Sequence, residues 1–191
     1  MASIGVSLFE PELPEGFHYR EAFITAVEEA TLVTEISHLE FFDFEMRGVV
    51  ARRRVIFFGQ SYEGRDAVAL PEFLVPWRDA AARWAGLQGP AFAMALVNEY
   101  QPGAPIGWHR DAPQYGIVAG ISLLSACRMK FRPYSAPSRV SRATAPRRAT
   151  HELLLAPRSA YLVTGPSRQE YEHSIPAVST LRYSVTFRTL R

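Results

Sequence analysis

Two candidate metal ligands, His109 and Asp111, flank one residue in Trp108-His-Arg-Asp111, and a third, His173, stands before Ser174-Ile175-Pro176. In an extended backbone, residues i and i+2 share a face, so His109 and Asp111 can reach one ion. Two imidazoles and a carboxylate leave three positions of an octahedron open. That set suits non-haem Fe(II), which must take a bidentate co-substrate and O2 together. A closed zinc site wants four ligands, usually with thiolates, and Cys127 is the only cysteine among 191 residues. Taken alone, His-x-Asp is a common surface or turn triplet. His18, His38 and His151 have no partner at ligand spacing and read as surface or turn residues.

The segment Arg182-Tyr-Ser-Val-Thr-Phe-Arg188 alternates strictly. Tyr183, Val185 and Phe187 take one face, and Arg182, Ser184, Thr186 and Arg188 the other. A half-buried strand with its polar side in water has this pattern. So does a barrel wall facing an anionic ligand, since guanidinium forks hold carboxylates bidentately. Upstream, Asn98-Glu-Tyr100 sends an amide and a phenol to one face, where they can hydrogen-bond a bound acid.

Short strands must position these groups. Phe92–Val97, Ile117–Leu124, Arg128–Phe131, Leu153–Leu155, Tyr161–Val163 and Leu181–Arg188 are apolar or alternating runs separated by Gly and Pro. They predict a mainly β fold, a sandwich or jelly roll with helices packed outside. Thr25 and Glu28 form a capping-box pair opening a helix that carries Leu32, Ile36 and Leu39. A second helix is expected from Pro76 through Trp77 and Trp84 to Gly86, with both tryptophans on its core face. Arg47 to Tyr62 reads as two short strands around Arg52-Arg53-Arg54, and Ser135–Thr150 as a long hairpin loop.

Charge is uneven although the net is +2. Residues 1–50 carry ten acids against two arginines, a balance of −8, and residues 128–158 carry eight basic residues against Glu152, a balance of +7. The basic side reads either as a site for a polyanionic partner or as a solvated loop. No apolar run is long enough to span a membrane, and no secretory signal is expected at the N-terminus. A lone cysteine, expected as a small buried hydrophobe, fits a reducing, cytoplasmic setting.

Asn98-Glu-Tyr100-Gln-Pro-Gly103, Ile106-Gly-Trp-His109-Arg-Asp111, Ile121-Ser-Leu123, His173-Ser-Ile-Pro176 and Arg182–Arg188 together resemble the AlkB family of Fe(II)/2-oxoglutarate dioxygenases in order, spacing and residue type. The resemblance covers roughly residues 90–190. It implies a double-stranded β-helix core over 91–191, with residues 1–90 supplying helices and a substrate lid to a single monomeric domain. It implies Fe(II), 2-oxoglutarate and O2 as cofactor and co-substrates, with His109, Asp111 and His173 on the iron. Arg182 would grip the distal carboxylate of 2-oxoglutarate, with Arg188, Asn98 and Tyr100 completing its pocket. The implied reaction hydroxylates an N-methyl group on a base of DNA or RNA, and the product falls apart to formaldehyde and the bare amine, alongside succinate and CO2.

Arg52-Arg-Arg-Val-Ile-Phe57-Phe58-Gly-Gln-Ser-Tyr62 is similar to the lid stretch of several members. There Arg52, Arg53 and Arg54 would meet phosphates, while Phe57, Phe58 or Tyr62 stacks on an extruded base. Consecutive strand residues face opposite ways, so one of Phe57 and Phe58 is expected in the core. Pro113 stands where the DNA-repair archetype has an acid that reads an exocyclic amine. Pro157-Arg158-Ser159 and Thr164–Arg168 look more like the branch with tRNA-modifying and protein-acting relatives. A tRNA base modification or a protein side chain is therefore the alternative substrate.

Overall fold

Reciprocal capping starts the first helix: the Glu28 N–H donates to Thr25 Oγ1 at 3.2 Å, and the Thr25 N–H donates to Glu28 Oε2 at 2.7 Å. The computed structural model describes residues 13–46, 49–60, 68–135 and 150–191. In chain order their first half forms β1 (Phe17–Arg20), α1 (Ala26–Ser37), β2 (Phe42–Met46), β3 (Val49–Gly59), α2 (Val75–Trp84) and β4 (Phe92–Tyr100). The second half forms β5 (Ile106–His109), β6 (Tyr115–Leu123), β7 (Cys127–Pro133), β8 (His151–Leu155), β9 (Ala160–Val163), α3 (Gly165–Gln169), β10 (Tyr171–Ile175) and β11 (Arg182–Leu190). Pro76 lies in the first turn of α2, where a missing N–H costs nothing, and Gly86 at φ +71° follows its end.

A seven-stranded antiparallel sheet runs β1-β9-β6-β11-β4-β3-β2, and a four-stranded one runs β5-β10-β7-β8. This is the expected jelly roll. Helices α1 and α2 cover one face of the larger sheet, where Leu32, Ile36, Ala81 and Ala82 pack on Val97, Ile121, Val185 and Phe187. Trp77 and Trp84 flank that cluster. Its other face meets the smaller sheet through Tyr100, Val118, Met129, Phe131, Val163 and Ile175, and Cys127 is buried among them. Among the described residues, no helix is long and apolar enough to cross a membrane.

One sequence expectation changes in the fold. The Arg52-Arg53-Arg54 run does not divide two strands: β3 is continuous through it, pairing with β4 from Arg54 to Gly59 and with β2 on both sides of a register shift that falls at Arg52 and Arg53. Its charges find separate places, Arg53 over the Phe44 ring and Arg54 on Glu99. Strands β1, β5 and β10 are too short to announce themselves by periodicity, and pairing with distant partners makes them, while the equally short β2 pairs with the adjacent β3. Residues 136–149 of the basic tract lie outside the described residues, while its flanks β7 and β8 pair antiparallel as the arms of a hairpin.

Candidate active site

The β5–β10 pairing sets His173 directly opposite His109, with ring centroids 4.3 Å apart. Asp111 follows β5 by two residues and turns its carboxylate to both imidazoles. Asp111 Oδ1 lies 3.6 Å from His109 Nε2 and 4.0 Å from His173 Nε2. One donor atom from each of the three residues falls within 4.8 Å of the others. Donors about 2.1 Å from a shared ion and at right angles would be about 3 Å apart, so the set needs only a small contraction to close on a metal. The Nδ1 of His109 lies 2.9 Å from the Gly107 carbonyl, which can only accept, so Nδ1 carries the proton and Nε2 is free to ligate.

The second oxygen of Asp111 is spoken for, accepting from Arg188 Nε at 3.1 Å. Arg188 is steadied in turn by Thr186 Oγ1 at 2.8 Å. Burial opposes ionisation of Asp111, but Arg188 and the two imidazoles overcome it and hold the carboxyl well below its ordinary range. Burial, with His109 adding to it, pushes His173 down to about 3, which keeps its ligating nitrogen free of a proton at neutral pH.

Both shifts run downward, so for each group the unfolded chain takes up the proton more readily. Stability is therefore present at neutral pH and lost on acidification, first as His173's ordinary 6.5 is passed, then with Asp111 below 3.8. The urea midpoint of the metal-free protein should fall between about pH 6.5 and pH 4.5, and His173→Asn should flatten that decline. Equal slopes in both proteins would contradict a neutral, buried His173.

Arg182 of β11 has no exposed surface. Its Nη2 donates to Ser122 Oγ at 3.1 Å and its guanidinium lies 4.9 Å from the Tyr100 ring centroid, while Nε and Nη1 have no partner. A buried cation with two idle donors is costly unless an anion satisfies it, and a carboxylate of 2-oxoglutarate has the matching charge and fork. Asn98 donates to Ser184 Oγ at 3.3 Å and leaves its own Oδ1 unpartnered. Asn98, Tyr100 and Arg188 line a cavity of about 890 Å3 that also holds the metal trio, and Arg182 sits just behind its wall.

At the mouth of this cavity the predicted substrate residues separate. Arg53 lines it, with its guanidinium 4.4 Å from the Phe44 ring centroid. Arg52 is exposed. Arg54 turns to the opposite face of the sheet and pairs with Glu99 at 2.6 Å, so it does not reach the cavity. Phe58 is likewise a correction: it is 4% exposed within the core under the helices, and Phe57 faces the cavity in its place. Tyr62 lies outside the described residues. The described cations of the basic tract are paired, Arg128 and Lys130 sharing Glu152, Arg132 on Glu172 and Arg158 on Glu29.

Arg168 on α3 entered the sequence reading only as the end of Thr164–Arg168, with no role of its own. Its Nη2 donates to the Ala112 carbonyl at 2.6 Å and the Tyr115 carbonyl at 3.0 Å, clamping the turn that carries Asp111. Contacts to main-chain carbonyls leave no side-chain spacing to detect.

The family described as the 2OG-Fe(II) oxygenase superfamily matches residues 49–188. Among curated proteins, the chain is similar to an alkylated DNA repair protein ALKBH8 homolog of Arabidopsis thaliana, 26% identical and aligned over 91% of this chain and 54% of that relative. The chain thus spans about half the length of that relative. Among solved structures, OsALKBH1 superposes with a TM-score of 0.63 at 13% identity, covering 96% of this chain and 100% of that one. A 2OG-Fe(II) oxygenase family oxidoreductase from Burkholderia pseudomallei gives 0.63 at 18% identity, over 92% and 85%. A Pseudomonas putida prolyl-4-hydroxylase gives 0.62 at 13%, over 92% and 93%. At those identities the superpositions establish a shared fold.

Proposed function

The chain belongs to the 2OG-Fe(II) oxygenase superfamily as an AlkB-like dioxygenase using Fe(II), 2-oxoglutarate and O2, and on that premise we propose that it oxidatively demethylates N-alkylated bases in nucleic acid. The observation that carries this reading is the convergence of His109, Asp111 and His173 on one cavity, with the idle donors of Arg182 behind its wall. Bound iron and co-substrate supply the oxidising chemistry, in which 2-oxoglutarate and O2 become succinate and CO2 while a substrate C–H becomes C–OH.

The chain's own groups bind and orient. His109, Asp111 and His173 hold the metal, and Arg188 keeps Asp111 ionised and pins its second oxygen. Arg182 takes the distal carboxylate, with Asn98 and Tyr100 completing the co-substrate pocket. After hydroxylation of an N-methyl group, the N–C bond breaks, the hydroxyl proton passes to nitrogen and formaldehyde leaves. Residues 91–191 form the catalytic core of a single monomeric domain, and the β2–β3 wall within residues 1–90 serves as the substrate lid. Phe42, 61% exposed, stands there with Phe44 and Phe57 on the cavity lining, flat apolar surfaces on which a base can stack. Arg52, exposed and outside the cavity lining, suits a phosphate. The buried, unpaired Cys127 supports a reducing, cytoplasmic setting.

The second reading is a protein side chain or a tRNA modification; its protein arm draws on one observation, that the described cations of β7 are already paired with Glu152 and Glu172. The test is a panel of methylated DNA and RNA oligonucleotides incubated with enzyme, Fe(II), 2-oxoglutarate and ascorbate. Formaldehyde should appear in step with loss of the methyl group, and efficiency should fall steeply with added salt. No formaldehyde or hydroxylated product from any oligonucleotide would point to the second reading, and efficiency indifferent to salt to its protein arm.

A further inference from the structure

Strand pairing fixes only two of the three metal donors. His109 and His173 face each other across the β5–β10 ladder, but Asp111 lies beyond the last residue of β5, outside that ladder. Its two chain neighbours are held by α3 instead. Arg110 donates from Nη1 to the Gln169 carbonyl at 3.1 Å, and the Ala112 carbonyl accepts from Arg168 Nη2 at 2.6 Å. The same Nη2 donates to the Tyr115 carbonyl at 3.0 Å, and the Tyr115 N–H closes the turn onto the Ala112 carbonyl at 3.1 Å. Consecutive residues of α3 thus grip the residues on either side of Asp111. After Glu170 the chain enters β10, which carries His173. The start of α3 is anchored in its turn, since Thr164 Oγ1 donates to the Gly16 carbonyl and the Ser167 N–H to the Glu15 carbonyl, both at 2.8 Å.

Arg168 is an unusual residue to bury there. It is 7% exposed, its Nε has no partner, and its hydrogen bonds among the described residues run to neutral carbonyls. Arg188 faces the Asp111 carboxylate, whereas Arg168 has no counter-charge in contact. Hiding a cation in this way costs stability, and an apolar side chain of similar length would fill the space without that cost. What the guanidinium adds is one nitrogen bridging two carbonyls of the turn that follows Asp111. Resting on the metal site proposed above, we propose that Arg168 is a positioning residue. It sets the Ala112–Tyr115 turn so that the Asp111 carboxylate meets both imidazoles, and α3 thereby registers Asp111 against His173. It acts through main-chain carbonyls and not on the metal itself.

Co(II) titrations of the full chain test this, read by calorimetry and by the visible absorption of the bound ion, beside thermal melts of the metal-free proteins. Arg168→Met keeps the bulk and removes the donors. It should bind Co(II) roughly tenfold to a hundredfold more weakly, the range for outer partners of a metal ligand, with an altered absorption band. Its metal-free melting temperature should stay close to that of the wild type, because the buried charge removed offsets the hydrogen bonds lost. Arg168→Lys should recover part of the affinity. In Arg168→Ala, added methylguanidinium should restore Co(II) binding more effectively than methylammonium, since only the former reproduces the planar donor set. Unchanged Co(II) affinity and absorption in Arg168→Met would overturn the inference. Melting temperatures that fall in step with affinity across the variants would make Arg168 a core residue and overturn it too. A raised requirement for 2-oxoglutarate with Co(II) affinity intact would assign the idle Nε to the co-substrate, with the same consequence. Failure of the metal reading itself looks different: the wild type would then bind no Co(II), or Asp111→Ala would bind it equally well.

Discussion

Asp111→Ala should abolish succinate formation and substrate oxidation while the chain still folds. Among the described residues it removes the one carboxylate that faces both imidazoles, so two nitrogen donors remain where three donors converged. Changes to outer partners of a metal typically cost roughly tenfold to a hundredfold in affinity or activity, and loss of a ligand should exceed that. Asp111→Asn sharpens the test, since it preserves shape and removes the charge. It should weaken Fe(II) or Co(II) binding severely in titration calorimetry and leave at most a trace of turnover. The apo fold should lose about 3–5 kcal/mol at most, the usual penalty when a buried ion pair loses one partner. Arg188 keeps Thr186 as a partner, which limits the damage. Near-normal 2-oxoglutarate decarboxylation by either variant would remove Asp111 from the metal site.

How much of this site could be seen in the chain depends on the range of the contact. The alternation of Arg182 through Arg188 is local, and β11 does place Arg182, Ser184, Thr186 and Arg188 on the face toward the smaller sheet. Asn98 and Tyr100 share a face for the same reason. The pairing of His173 with His109 is a register between two short strands far apart in sequence, and no pattern in either strand specifies it. Parity alone says that Phe57 and Phe58 face opposite ways. Which one looks inward depends on the pairing of Val55 with Asn98, and a slip by one residue would exchange them. Arg53, Arg54 and Phe58 thus show where local reasoning ends: the residue types were legible, but the faces followed from the neighbouring strands. Arg188 adds a different lesson, since its bond to Asp111 ties the co-substrate side of the cavity to the metal side.

The largest effect on co-substrate use is expected from Arg182, and its sign on stability should oppose its sign on function. With no ligand bound, Nε and Nη1 of this guanidinium are buried and idle, so the free protein carries an uncompensated cost. Arg182→Met keeps most of the volume and removes the charge. Its melting temperature without 2-oxoglutarate should equal or exceed that of the wild type, whereas Arg182→Ala should fall below it because of the cavity left behind. Adding 2-oxoglutarate with a redox-inert metal should raise the wild-type melting temperature and leave both variants nearly unmoved. Losing one buried charged pair costs about 2–5 kcal/mol, which corresponds to a rise of roughly thirtyfold to a few thousandfold in the 2-oxoglutarate concentration required. A residue serving only the core would show the reverse pattern: Arg182→Met would destabilise the free protein and leave the KM for 2-oxoglutarate where it was. Stabilisation of the empty site together with loss of co-substrate affinity is the signature of a cation held in place for an absent anion, because the same two idle donors produce both effects.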